Sequence, residues 1–306
     1  MLTFIIRRVL WAIPVLGLVA TLTFVIMHIV PGGPFDQEKK LPPAIMANVE
    51  AKYRLDRPIA EQYLFYLKGL LYGDLGPSYK YVGRTVGDII GDSFPVSAQL
   101  GLLSLVISVL LGLFMGVAAS LLSHSVWDRL SIFIGTAGIS APNFVIGSLL
   151  LLIFSHQLKW FPPALWEGVS HAILPAVTLS FAPAAYIARL TRSSMLEVHQ
   201  EDYIRTARAK GLSETAIVLR HVLKNALTPV ITMLGPLTAS LVSGSFIVEF
   251  IFSIPGMGRF FITAVTNRDY PLIMGVTLVY AILIVAANLV VDLIYPLVDP
   301  KVRLHG

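Results

Sequence analysis

The chain has 306 residues, of which 56% are hydrophobic and 13% charged, and its mean hydropathy is +0.76. A soluble domain carries about 25% charged residues, so this composition excludes a soluble enzyme, a disordered chain and a nucleic-acid module; the absence of cysteine excludes a disulfide scaffold. The net charge of +5 fits basic loops held on one face of a polytopic membrane protein.

A membrane-spanning helix needs about 20 mostly apolar residues, and six stretches meet that need. The first, 9–30, is too long for a signal-peptide core. It ends in Pro31-Gly32-Gly33-Pro34 with no small-x-small cleavage site, so an uncleaved span is expected. The segment 31–94 is polar, with eight basic and eight acidic residues. Within it, 42–72 reads as helical, with Pro43 near the start and Ile45, Val49, Leu64, Leu67 and Leu71 as its apolar face. A small folded subdomain is expected there. The second and third spans are 95–122 and 130–154. The fourth, 172–188, is short and carries Pro175 and Pro183, which neighbouring helices can accommodate. The fifth and sixth are 227–252 and 272–297. The expected fold is thus an all-α polytopic membrane protein. Residues 1–30 hold the first span, 31–94 a small external subdomain, and 95–306 a five-helix core with a polar loop at 189–227.

The short loops set the orientation. Arg7, Arg8, Arg129, Arg189, Arg192, Arg205, Arg208, Lys210, Arg220, Lys224, Lys301 and Arg303 fall on one side. Only Lys159, Arg259 and Arg268 fall on the other. Both termini are therefore expected in the cytoplasm, and 31–94 outside.

Enzyme signatures are missing. The chain has no Gly-Lys pair for a phosphate loop, no His-Glu pair for a zinc-protease helix and no G-x-S-x-G elbow. His28 lies in a span and reads as a packed residue. Glu249 and Asp292, the latter one turn after Asn288, suit either a proton relay or paired carboxylates at an interface or wet cavity. The polar residues Ser140, Asn143, Ser240, Ser243 and Asn288 within spans are candidates for a wet path. Each competes with plain interhelical hydrogen bonding.

The segment 189–227 is too polar to span. Met195 to Lys210 reads as one helix, with Gly211 at its C-cap; Ser213 then reads as the N-cap of a second, with Glu214 in its first turn. On this second helix Arg220 and Lys224 form a basic stripe, and Ile217, Val218, Leu219, Val222 and Leu223 give apolar surface.

The run Tyr203-Ile-Arg-Thr-Ala-Arg-Ala-Lys-Gly211-Leu212 resembles the coupling loop of ABC-importer permeases, whose pattern is E-A-A-x-x-x-G followed by I-x-L-P. Ala207 and Gly211 match. Arg205 and Thr206 stand where the family has Glu and Ala, and Pro229 lies beyond the I-x-L-P position. These departures are similar to the peptide/nickel branch, as are Arg220-His221-Val222-Leu223-Lys224 and Ala226-Leu227-Thr228-Pro229. Pro31-Gly32-Gly33-Pro34, Gly73-Asp74-Leu75-Gly76, Pro255-Gly256-Met257-Gly258-Arg259 and Asn267-Arg268-Asp269-Tyr270-Pro271 follow in the branch's order. Leu41-Pro42-Pro43 and Met46 to Tyr53, with the long first outer loop, resemble the B-type permeases of oligopeptide importers.

The resemblance implies the ABC-importer permease fold and a subunit that takes no part in bond chemistry. It implies a C-type permease partner, two cytoplasmic ATPase subunits, an external peptide-binding protein and a peptide as cargo in the bacterial inner membrane. ATP and Mg would be bound by the ATPases, with no cofactor in this chain. Arg205, Thr206, Ala207, Arg208, Ala209, Lys210, Gly211 and Leu212 would form the ATPase-coupling element. A dipeptide or nickel permease of the same branch, a proton-coupled transporter and a membrane-embedded enzyme remain alternatives at this point.

Overall fold

The computed structural model describes residues 2–35, 50–123 and 140–298, with single positions between 125 and 138. Lys39, Lys40 and the 42–49 part of the expected outer helix lie outside the described residues.

The first long helix, α1, is Leu2–Ile29. After a helical turn at 50–53, Arg54 takes a left-handed φ of 59° and stops it. The helix that follows, α2, is therefore only Ile59–Leu71. Its packing face also differs from expectation: Leu64 and Leu71 are exposed. The side that docks on α1 is aromatic instead, with Tyr63 Oη 2.7 Å from the Thr21 hydroxyl and Tyr66 stacked 5.9 Å from the Phe24 ring.

The next helix, α3, is Val86–Leu121 and begins well before Pro95. A capping box sets that start. The Thr85 hydroxyl accepts from the Asp88 N–H at 3.1 Å, and the Asp88 carboxylate accepts from the Thr85 N–H at 3.0 Å. The first ten residues of the third expected span fall mostly outside the described residues. Its second half is α4, Asn143–Leu150, which runs on as a π-helical turn, Leu151–Gln157. The fourth is α5, Val169–Val198, far longer than 172–188, with both prolines inside.

The expected single helix over Met195–Lys210 is in fact two. The His199 ring bonds the Met195 carbonyl at 2.9 Å and closes α5, and Glu201 turns extended (φ −67°, ψ 144°). The next helix, α6, is Asp202–Ala209. Then come α7 (Glu214–Ile217), a π turn at Val218–Val222, α8 (Leu223–Ala226) and α9 (Thr228–Val242). The fifth expected span is broken at 243–245, where Gly244 has a φ of +94°. It resumes as α10, Phe246–Ile251, N-capped by the Ser245 hydroxyl. The short α11 (Met257–Asn267) leads to the last span, α12, Tyr270–Val298. Among the described residues, five helices are long and apolar enough to cross a membrane, α9 and α10 counting as one, and Asn143–Gln157 is a shorter sixth.

The bundle is organised by a stripe of small residues along α3. Ser93, Ser97, Gly101, Ser104, Ser108, Gly112, Gly116 and Ser120 recur every three or four positions and are all buried. Small faces let helices approach closely in lipid. A side chain on Gly101 would meet the Leu241 carbonyl at 2.2 Å, so α9 crosses α3 backbone to backbone there. Farther along, the Ser108 hydroxyl donates to the Ser180 carbonyl of α5 at 3.3 Å.

Two fully buried carboxylates pin the ends of the shorter elements. Glu249 accepts from the Ser245 N–H at 3.2 Å and the Gly258 N–H at 2.7 Å, holding the start of α11 against α10. The Asp292 side chain lies outside the described residues. Asp269 caps α12 through the Leu272 N–H at 3.4 Å. It also accepts from the Ser78 hydroxyl, from the Tyr79 N–H at 3.1 Å and from the Lys80 N–H at 3.4 Å. Beside it, the Tyr270 hydroxyl donates to the Gly32 carbonyl at 3.0 Å, and Arg268 donates to the Gly33 carbonyl at 3.4 Å. Both ends of the polar segment between α1 and α3 are thus tied to one spot.

Asp269→Ala should strand these donors. Hydrogen bonds to a charged group are worth about 1.5–3 kcal/mol each, so a loss of at least about 2 kcal/mol is expected. Thermal unfolding in detergent and protease sensitivity of residues 50–85 measure it. Unchanged values in both would remove Asp269 from this role.

Candidate functional site

The loop between α5 and α9 is built as a hairpin of short helices. Gly211 has a φ of +81°, a conformation glycine adopts without penalty. The Leu212 N–H reaches the Ala207 carbonyl at 3.3 Å, and the Gly211 N–H reaches the Arg208 carbonyl at 2.9 Å. This pair of bonds is a Schellman turn. The next helix starts at once, with the Ser213 hydroxyl accepting from the Ala216 N–H at 3.4 Å. The glycine turn and the serine cap lie where the sequence places them.

Two contacts across this turn have no sequence signal short of knowing the turn itself. Arg208 grips Glu214 through two bonds, Nε to Oε1 at 2.6 Å and Nη2 to Oε2 at 3.2 Å. The pairing lowers the Glu214 carboxyl below its usual range and raises the Arg208 guanidinium. A carboxyl held low contributes its ion pair fully above its ordinary pKa and loses it as pH falls through the depressed value. At neutral pH the strap is formed. The second contact joins Asn225 Nδ2 to the Tyr203 hydroxyl at 2.9 Å.

The hairpin sits on a small apolar cluster of its own. Met195, Ile204, Ala207, Ile217, Val222 and Ala226 are buried together, with Val117 of α3 against them. The hairpin therefore lies at the C-terminal end of α3, opposite the end tied by Asp269. Ala207 faces inward, Arg208 is committed to Glu214, and Arg205 pairs with Asp202 at 3.5 Å. The outward surface is left to Thr206, Ala209, Lys210 and Gly211, all exposed, while Leu212 packs on the cluster. On the second helix, Leu219 is exposed, and Ile217 and Val222 are buried.

The five polar span residues do not converge. Asn143 and Ser240 line one cleft of about 580 Å³ between α4, α5 and α9. Ser243 is buried and donates to the Ser240 carbonyl at 3.0 Å. Ser140 is exposed and is not among that cleft's lining residues. Asn288 lies in a separate groove between α12 and α1, beside Arg8 and Trp11. The cleft's other walls include Pro142, Pro183, Gly244 and Ser245. Two helix breaks, at 141–142 and 243–245, thus open on the same space. Irregular backbone at membrane depth is tolerated where it lines a cavity.

Known proteins share this chain throughout its length. It is 47% identical over 306 residues to a dipeptide transport system permease protein of Bacillus subtilis (strain 168), covering 100% of this chain and 99% of the relative. It is 45% identical over 305 residues to an oligopeptide transport system permease protein of Escherichia coli (strain K12), covering 99% and 100%. The fold is similar to that of the inward-facing MetNI methionine ABC transporter, with a TM-score of 0.58, 17% identity, and 69% of this chain and 96% of that chain covered. An amino acid ABC transporter aligns with a TM-score of 0.54 at 18% identity, over 68% and 92%. The model of the binding-protein-dependent transport system inner membrane component matches residues 108–304, and that of its N-terminal region matches 1–107. By these matches over its whole length, the chain belongs to the binding-protein-dependent transport system inner membrane components, as an ABC-transporter permease of the peptide class.

Proposed function

We propose that this chain is one of two permease subunits of an ATP-driven importer of oligopeptides, and that the cleft at Asn143 and Ser240 is part of its translocation path. The convergence of two helix breaks on one cleft is the observation that carries this reading. A peptide brings its own amides and termini, so its route needs unpaired backbone and small polar groups among tolerant apolar walls. Asn143, Ser240 and Ser245 supply the polar groups; Leu179, Leu237 and Ile247 supply the walls. The 47% identical relative named as a dipeptide permease favours a second reading, dipeptide cargo. Uptake of labelled di-, tri- and pentapeptides by cells with and without the chain separates the two.

In this reading the hairpin at 202–226 is the coupling element, facing the cytoplasm with both termini. Two ATPase subunits bind ATP and Mg and hydrolyse the nucleotide, a C-type permease completes the path, and an external peptide-binding protein docks near residues 50–85. Thr206, Ala209, Lys210 and Gly211 form the surface that meets an ATPase. Arg208 acts inside the hairpin as a strap, and Ala207 roots it in the apolar cluster.

Two experiments follow. Asn143→Cys and Ser240→Cys should react with a water-soluble thiol reagent in at least one nucleotide state, while Ser243→Cys stays protected; the cysteine-free chain gives no background. Protection of both would remove the cleft from the path. Gly211→Val should abolish peptide uptake while leaving membrane insertion intact, because a left-handed turn costs a branched side chain about 1–2 kcal/mol and displaces the whole hairpin. Arg208→Ala should be milder, since an exposed ion pair is worth about 0–1 kcal/mol. Full uptake by inserted Gly211→Val, with ATPases bound, would show that coupling runs elsewhere.

A further inference from the structure

A second cleft, of about 290 Å³, lies at the opposite end of the molecule from the hairpin, between α1, α2, the 74–79 loop and the start of α12. Its walls are aromatic, with Phe24, Tyr79 and Tyr270 among them. Two cations line it as well. Arg54 sits in the left-handed backbone region at a position glycine favours, and its guanidinium lies 3.8 Å over the Phe65 ring. Lys52 lies on the preceding helical turn. Neither forms an ion pair with a described carboxylate.

We propose that this aromatic cleft binds a short peptide by its C-terminal residue, with the side chain against Phe24, Tyr79 and Tyr270 and the carboxylate toward Lys52 and Arg54. Aromatic rings favour an apolar or aromatic side chain. Asp74 also lines the cleft, but the two cations outnumber it and favour a carboxylate over an amide. The volume suits one or two residues, not a folded domain. The proposal rests on the peptide reading above but concerns a different place. It would give the importer a peptide site at its outer rim, separate from the Asn143–Ser240 cleft.

The test uses the whole membrane complex in lipid nanodiscs, without the external binding protein and without ATP. Binding of radiolabelled Gly-Phe is measured by equilibrium dialysis. Wild type should bind it saturably. Gly-Phe amide should bind about tenfold more weakly, and so should the Lys52→Ala/Arg54→Ala double variant. Gly-Gly, which has no aromatic side chain, should also bind about tenfold more weakly. The proposal falls if wild type shows no saturable binding, if the amide and the double variant bind as tightly as the parent pair, or if Gly-Gly binds as tightly as Gly-Phe. In each of those cases, peptide uptake by cells carrying the complete system shows whether the transport reading itself still stands.

Discussion

Helices in lipid gain little from burying apolar side chains against one another, because the surrounding chains are equally apolar. Close packing and internal hydrogen bonds have to hold them. In this protein that constraint is met by the row of serines and glycines on α3. Where it runs past α9 the backbones nearly touch at Gly101, and where it runs past α5 a serine hydroxyl reaches a main-chain carbonyl. The positions of α5 and α9 then fix everything attached to them. The breaks at 141–142 and 243–245 open on one cleft because the helices carrying them are held against a common axis.

The buried carboxylates extend the same logic to the shorter pieces. A six-residue helix such as α10 is packed through Val248 and Phe246, and its start is fixed by a polar contact as well. Glu249 makes that contact by bridging the backbone of two helix starts, and Asp269 does the same for the outer loop. Each meets N–H groups that a helix terminus leaves unpaired. A membrane protein with so few charges places these where backbone donors cluster.

The long periodic features of the fold were legible in the sequence, and the local ones only in part. Apolar length alone located the spans, though not their ends. The Thr85 cap and Asp88 lie outside the apolar run and still belong to α3, and Arg189 and Arg192 still belong to α5. The turn at Gly211 and the cap at Ser213 were readable because each rests on the chemistry of one residue. The break after Val198 was not, since no proline or glycine marks it. The outer helix misled because its leucines suggest a core, while Tyr63 and Tyr66 make the contact. The α3 stripe was present in the sequence as small residues at helical spacing, a pattern hidden by a search for hydrophobic ones. The Arg208–Glu214 strap and the Asp269 contacts join residues whose proximity exists only after folding. Of the polar span residues, spacing alone could not tell Asn143 and Ser240 from Ser243, whose hydroxyl turns back onto its own helix.

The fastening of residues 32–33 and 78–80 to the same few residues at 268–270 makes the outer segment a closed cassette. Its entry and exit are adjacent, so chain inserted between them adds to a loop whose ends are already joined. The entropic cost of closing such a loop grows only logarithmically with its length. The segment between α1 and α3 can therefore lengthen, shorten or be exchanged with little effect on the spans, provided the clasp is kept.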